Sequence, residues 1–208
     1  NGSSEMMSNI AMSVVAMVYN WQLIKLLGED GVAAYGVIMY VGMIFGAILM
    51  GYAMGAAPLM SYQHGADNSV EKRSLMRHGL AIMGIGGVCA FVAAQLLAPV
   101  IAQLFTSYDN ELMALTIHAF RFYSIAFLLM GFSIFGSSLF TSLGNGVVSA
   151  VISFMRTLVF ETGAVILLPM LLGPDGIWTS VIVAEIASTT LVTICILQFG
   201  RFYGLRRT

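Results

Sequence analysis

Six apolar runs, each long enough to cross the roughly 30 Å hydrocarbon core of a bilayer as a helix of about 20 residues, follow one another with only short interruptions. They occupy 4–27, 33–62, 75–105, 116–141, 149–172 and 177–199. The interruptions carry turn-forming residues: GEDG at 28–31, HGADNSVEKR at 64–73, TSYDNE at 106–111, LGNG at 143–146 and GPDG at 173–176. Strands of a transmembrane barrel would show about ten residues of strict alternation, and no such segment is present. The pattern predicts an all-α fold, a polytopic membrane helical bundle of about six transmembrane helices. Composition agrees. The chain is 59% hydrophobic and only 9% charged, with mean hydropathy +0.90, whereas a surface wetted by water needs about 25% charged residues.

These properties exclude several functions. A net charge of −1 supplies no basic field for nucleic acid. Cys89 and Cys195 stand far apart in apolar runs with no second ligand at metal spacing, so neither a metal nor another cofactor is expected. There is no GxxxxGK phosphate loop, and no re-entrant filter or charged ring of a channel. An intramembrane serine protease needs an exposed nucleophile; Ser133 in GFSIFG, with His118 nearby in sequence, lacks the turn that would expose it. No enzyme activity is expected. The opening NGSSEMM has no basic region leading into a short apolar one, so it does not read as a signal peptide. It reads as the cut edge of something longer.

Positive charge collects after the second run, at Lys72, Arg73 and Arg77, and after the sixth, at Arg201, Arg206 and Arg207. Glu29, Asp30, Asp109, Glu111 and Asp175 fill the odd-numbered interruptions, with Lys25 and Arg121 only near helix ends. Cytoplasmic segments retain Lys and Arg, so both termini are expected in the cytoplasm of a multi-pass protein.

Ionisable groups inside hydrocarbon are costly and normally face a protein interior or a wet cavity. In the first run Glu5, Asn9, Ser13 and Asn20 fall on one arc at about 100° per residue, a stripe suited to substrate or cation contact or to hydrogen bonds between helices. In the fifth, Ser149, Ser153, Arg156 and Thr157 share a face. Glu161, five residues beyond Arg156, points about 140° away from it on an α-helical wheel, which argues against a tight pair between them. Arg156 is placed either in the cavity or as an anchor snorkelling to the membrane surface. In the sixth, Trp178, Glu185, Thr189 and Thr193 form another stripe. Glu161 and Glu185 lie deeper than Glu5 and are the preferred groups for a coupling cation. The second run is longer than one crossing needs; Gly51, Gly55 and Pro58, with Gly42 and Gly46, suggest close helix packing with a bend, or a hinge.

NGSSEMMSNIAMSVVAMVYNWQL at 1–23, GYAMGAAPLMSYQHGADNSVEKR at 51–73 and FMRTLVFETGAVILLPMLLGPDGIWTSVIVAE at 154–185 together resemble the seventh, eighth, eleventh and twelfth helices of bacterial multidrug and toxic compound extrusion (MATE) transporters. The resemblance spans nearly the whole chain. It implies that residues 1–208 form a single six-helix lobe, half of a two-lobe bacterial inner-membrane transporter. A missing N-terminal six-helix lobe, on the same polypeptide or a second chain, would be its partner. It further implies secondary export of cationic or amphipathic drugs in exchange for H+ or Na+ across the lipid bilayer. One branch of the family carries coupling carboxylates on its seventh and tenth helices. Glu5 lies on the first of these, and the run 116–141 has no Asp or Glu. A membrane scaffold or assembly protein without transport is the competing expectation.

Overall fold

A computed structural model describes residues 2–205, with side chains from residue 11 onward. All its regular structure is helical: α1 (Gly2–Gly65), α2 (Ser69–Thr106), α3 (Asn110–Tyr123), a 3-10 turn (Ser124–Ala126), α4 (Phe127–Ser142), α5 (Gly146–Phe154), a π-helix (Met155–Glu161), α6 (Thr162–Leu172) and α7 (Asp175–Phe199). Hydrocarbon offers the backbone no hydrogen-bond partner, so each long apolar run closes its own ladder. The turn residues between runs supply the caps. Asn68 accepts from the Glu71 amide, Asp109 from those of Glu111 and Leu112, and Asn145 from that of Val148.

Five continuous helical stretches are long and apolar enough to cross a membrane. The first makes two crossings, because it folds back at Gly28. There φ is 68° and ψ is −153°, a left-handed conformation that glycine adopts without strain. Tyr19 and Tyr35, sixteen positions apart, would be about 24 Å apart on a continuous helix. Their rings instead stack with centroids 4.8 Å apart. The six expected crossings are thus present, but GEDG is helical except for a one-residue reversal. Pro58 lies within the second arm of α1, where the backbone keeps helical dihedrals.

Of the glycines in the second run, Gly42 and Gly46 face Tyr123 and Met130 at 3.6 and 3.9 Å from an added Cβ, but the tightest approaches between helices occur elsewhere. A Cβ on Gly79 would fall 2.1 Å from the Phe135 ring, and one on Gly136 2.3 Å from Val192. A Cβ on Gly51 or Gly55 would meet no other part of the bundle within 4 Å. At one end of the bundle Met60, Met76, Leu143 and Leu205 form a single apolar cluster, and Asn145 Nδ2 donates to Tyr203 Oη at 3.0 Å. The second and fourth connections and the chain's last described residues therefore meet there. Arg73, Arg77 and Arg201 surround this basic end, while Lys72 is buried and pairs with Asp67 at 3.5 Å. At the acidic end Leu23, Leu112 and Ile177, next to the three odd-numbered connections, join the largest core.

Pro169 cannot donate to the carbonyl four residues before it, that of Val165. Gln22, buried on the first arm of α1, donates its Nε2 to that oxygen at 3.3 Å. The first and fifth crossings are joined by the hydrogen bond that the proline cannot make.

Candidate functional site

The charged centre lies where α4, the π-helix and α7 meet. Glu185 stands about 15 Å along α7 from Asp175 at 1.5 Å per residue, deep within the crossing. Its Oε1 accepts from Arg156 Nε at 2.9 Å and also from a terminal guanidinium nitrogen. Its Oε2 accepts from Ser133 Oγ at 2.8 Å, and Thr189 Oγ1 lies 3.4 Å from the same serine. Glu185 and Ser133 are buried, and Arg156 is one-quarter exposed. A fork of guanidinium N–H groups on one oxygen and a hydroxyl on the other satisfy the carboxylate from both sides. Arg156 is therefore not a surface anchor: the opposing carboxylate holds it inside the bundle.

The expected lack of a tight pair between Arg156 and Glu161 holds among the described residues, but the helix here is not α-helical. Hydrogen bonds in a π-helix reach five residues, so side chains five apart lie closer round the axis than on an α-helix. Arg156 is the second residue of this stretch and Glu161 its last. Glu161 is half-buried and lies within electrostatic reach of both Arg156 and Glu185. Among the described residues, no Lys, Arg or His nitrogen lies within 4.0 Å of it. Two carboxylates thus lie near one guanidinium, which pairs with Glu185.

Three tyrosines from separate crossings, Tyr19, Tyr35 and Tyr123, lie within electrostatic reach of Glu161. All are buried. Tyr123 Oη donates weakly to Met39 sulfur at 3.8 Å. Tyr19 Oη and Thr162 Oγ1 are buried without a hydrogen-bond partner. Of the stripe predicted on the first helix, Glu5 and Asn9 lie outside the residues whose side chains are described, Ser13 is exposed and Asn20 is half-exposed. Sequence reasoning paired none of Arg156, Glu185 and Ser133, and it passed over the tyrosines. The available signal was the four-residue spacing of Ser133, Ser137 and Thr141, which aligns three hydroxyls along one side of α4.

A lobe of six crossings with an ion pair deep inside it defines a polytopic membrane protein with a charged centre. Residues 6–164 match the MatE family, and the chain belongs to it, a family of transporters and not of enzymes. The fold is that of one half of a MATE transporter. It superposes on the Vibrio cholerae MATE transporter VcmN in its bent form with a TM-score of 0.88 at 19% identity, covering 98% of this chain and 46% of that one. An inward-facing multidrug resistance MATE family transporter of the MOP superfamily gives 0.87 at 22% identity, over 98% and 46%. A MOP superfamily transporter from Pyrococcus furiosus gives 0.83 at 22%, over 100% and 46%. The chain thus spans less than half the length of the structures it resembles. No curated protein matches its sequence.

Proposed function

We propose that this chain is one lobe of a secondary drug exporter that exchanges cationic or amphipathic compounds for H+ or Na+, and that Glu161 is the group in this lobe that takes the coupling cation. The observation that carries the reading is the charge balance at the centre. Arg156 neutralises Glu185 and leaves Glu161 without a counter-ion of its own. An uncompensated charge inside hydrocarbon costs at least about 2.5 kcal/mol, so a proton or a small cation has a reason to settle there. Tyr19 Oη, buried without a hydrogen-bond partner, is a further polar group in the bundle without a satisfied bond. Glu185, preferred equally at the outset, is already satisfied. Its role in this reading is to hold Arg156 and keep the π-helix against α7.

The described helices also carry exposed apolar side chains such as Met17, Ile44 and Met54, which lipid or a second lobe would cover. The polar stripes need a partner for the same reason, and the share of each solved transporter that this chain spans supports a second lobe of equal size. The termini belong in the cytoplasm of a bacterial cell, with the basic end facing inward.

The test uses liposomes containing the two-lobe transporter and, separately, the 208-residue chain, loaded with tetraphenylphosphonium. An opposing H+ or Na+ gradient should drive the two-lobe protein to move the cation against its own gradient, and the chain alone should not transport. Movement that ignores both ion gradients contradicts exchange.

A further inference from the structure

Four hydroxyls outside the charged centre form a hydrogen-bonded string between α4 and α5. Thr141 Oγ1 lies 2.7 Å from Ser149 Oγ, which lies 2.9 Å from Ser137 Oγ, itself 2.9 Å from Ser153 Oγ. Thr141 is exposed and is the penultimate residue of α4, at the basic end; Ser149 is buried, and Ser137 and Ser153 are half-buried. The next residue along the same face of α4 is Ser133, one turn deeper, already bonded to Glu185. Ser153 stands one turn before Arg156. From Thr141 to Ser133 the string covers about 12 Å of membrane depth at 1.5 Å per residue.

The protons in this string are not committed to one arrangement. Ser137 carries a single hydroxyl proton, yet Ser149 Oγ, Ser153 Oγ and the Ser149 carbonyl all lie within reach of it. Thr141 likewise faces both the Ser137 carbonyl and Ser149 Oγ. A hydroxyl is one donor and two acceptors, so the string can be written with its hydrogen bonds running in either direction. That reversibility is what a proton path requires. Helix-to-helix glue needs none of it: Ser138, on the adjacent face, simply donates to the Ala53 carbonyl at 3.2 Å.

We propose that Thr141, Ser149, Ser137 and Ser153 form the proton route between the aqueous face at the basic end and the Arg156, Glu185 and Glu161 centre. The proposal rests on the exchange reading above and adds the path that the coupling proton takes. At each hop an oxygen accepts a proton and passes its own onward, so every hydroxyl keeps one proton with its hydrogen bond reversed, and rotation about C–O resets the string. The one-turn steps from Ser137 to Ser133 and from Ser153 to Arg156, about 5–6 Å between Cβ atoms, are the length that a bridging water spans. The titratable groups near the route are Arg156, Glu161, Glu185, Cys195 and Tyr203. Cys195 sits in the apolar cluster of Phe140, Ile152 and Val192, and the Tyr203 hydroxyl accepts from Asn145 Nδ2 at the cap of α5.

The experiment uses the purified two-lobe transporter in detergent, mixed rapidly with tetraphenylphosphonium while a pH dye records proton release and fluorescence quenching records binding. Ser137→Ala and Ser153→Ala should slow proton release at least tenfold at unchanged affinity, and Ser138→Ala should not. Azide, a small proton carrier, should restore the slowed rate, which it cannot do for a merely structural defect. Either variant releasing protons at the parent rate overturns the route, as does a loss that azide leaves uncorrected. If the parent itself releases no proton on binding, exchange for H+ fails and the route fails with it; a parent that releases protons while both variants match it overturns the route alone.

Discussion

Replacing either member of the Arg156 and Glu185 pair leaves its partner charged and desolvated. Losing half of a buried pair typically costs about 3 to 5 kcal/mol, more than substituting both members by apolar residues of similar size. Arg156→Met is accordingly expected to lower the thermal midpoint of the detergent-solubilised protein sharply, and Arg156→Met combined with Glu185→Leu to recover most of the loss; equal midpoints for the single and double variants would argue against the pair. Gln22→Leu makes a second residue-level case. It orphans the Val165 carbonyl freed by Pro169, a loss of about 1 to 3 kcal/mol, visible as a smaller fall in the same midpoint. The individual ionisable residues were legible from sequence, because any Arg or Glu within a long apolar run demands an explanation. Their partners were not: Ser133 and Glu185 are 52 positions apart, and no periodicity within one helix reports which turn of another it will meet.

Among the elements, the six apolar runs and the Asn and Asp caps between them were readable because membrane length and turn chemistry are local properties. Two departures were not. The π-helix over Met155–Glu161 breaks the 100° periodicity on which any wheel depends, so Glu161 lies closer round the axis to Arg156 than an α-helical wheel places it. Deleting Val159 removes the extra residue and leaves the two side chains four apart on an α-helix, about 40° from each other on one face. Ion-driven transport should therefore persist at matched membrane abundance; a tenfold loss would mean that Glu161 needs the π-helix itself and not only that face. The tightest glycine contacts were the second. Gly136→Ala pushes a methyl group into Val192, an overpacking cost of about 1 to 3 kcal/mol, whereas Gly55→Ala meets open space. Thermal midpoints should separate the two variants, and Val192→Ala should relieve the first. The four-residue glycine repeat of the second crossing suggested contact, but side-chain volume on the opposite helix decides where contact occurs.

At the scale of the whole molecule, the reversal at Gly28 makes the crossing count even and brings the second and fourth connections to the end where the described chain finishes. Cysteines introduced at Asp109 and Arg201 should react with a membrane-impermeant reagent from opposite sides of the cell; reaction of both from one side would overturn this arrangement. The charge balance gives the lobe its proposed role: one guanidinium near two carboxylates, with Glu185 satisfied and Glu161 open to a cation. Glu161→Gln removes that open charge with little change in shape. The decisive measurement is gradient-driven export of tetraphenylphosphonium by the two-lobe transporter carrying Glu161→Gln, at matched membrane abundance and with the H+ and Na+ gradients varied separately. The predicted result is at least a tenfold loss of ion-driven export with drug binding retained. Export at the parent's rate, with the parent's ion dependence, would contradict the assignment and place the coupling cation at another group.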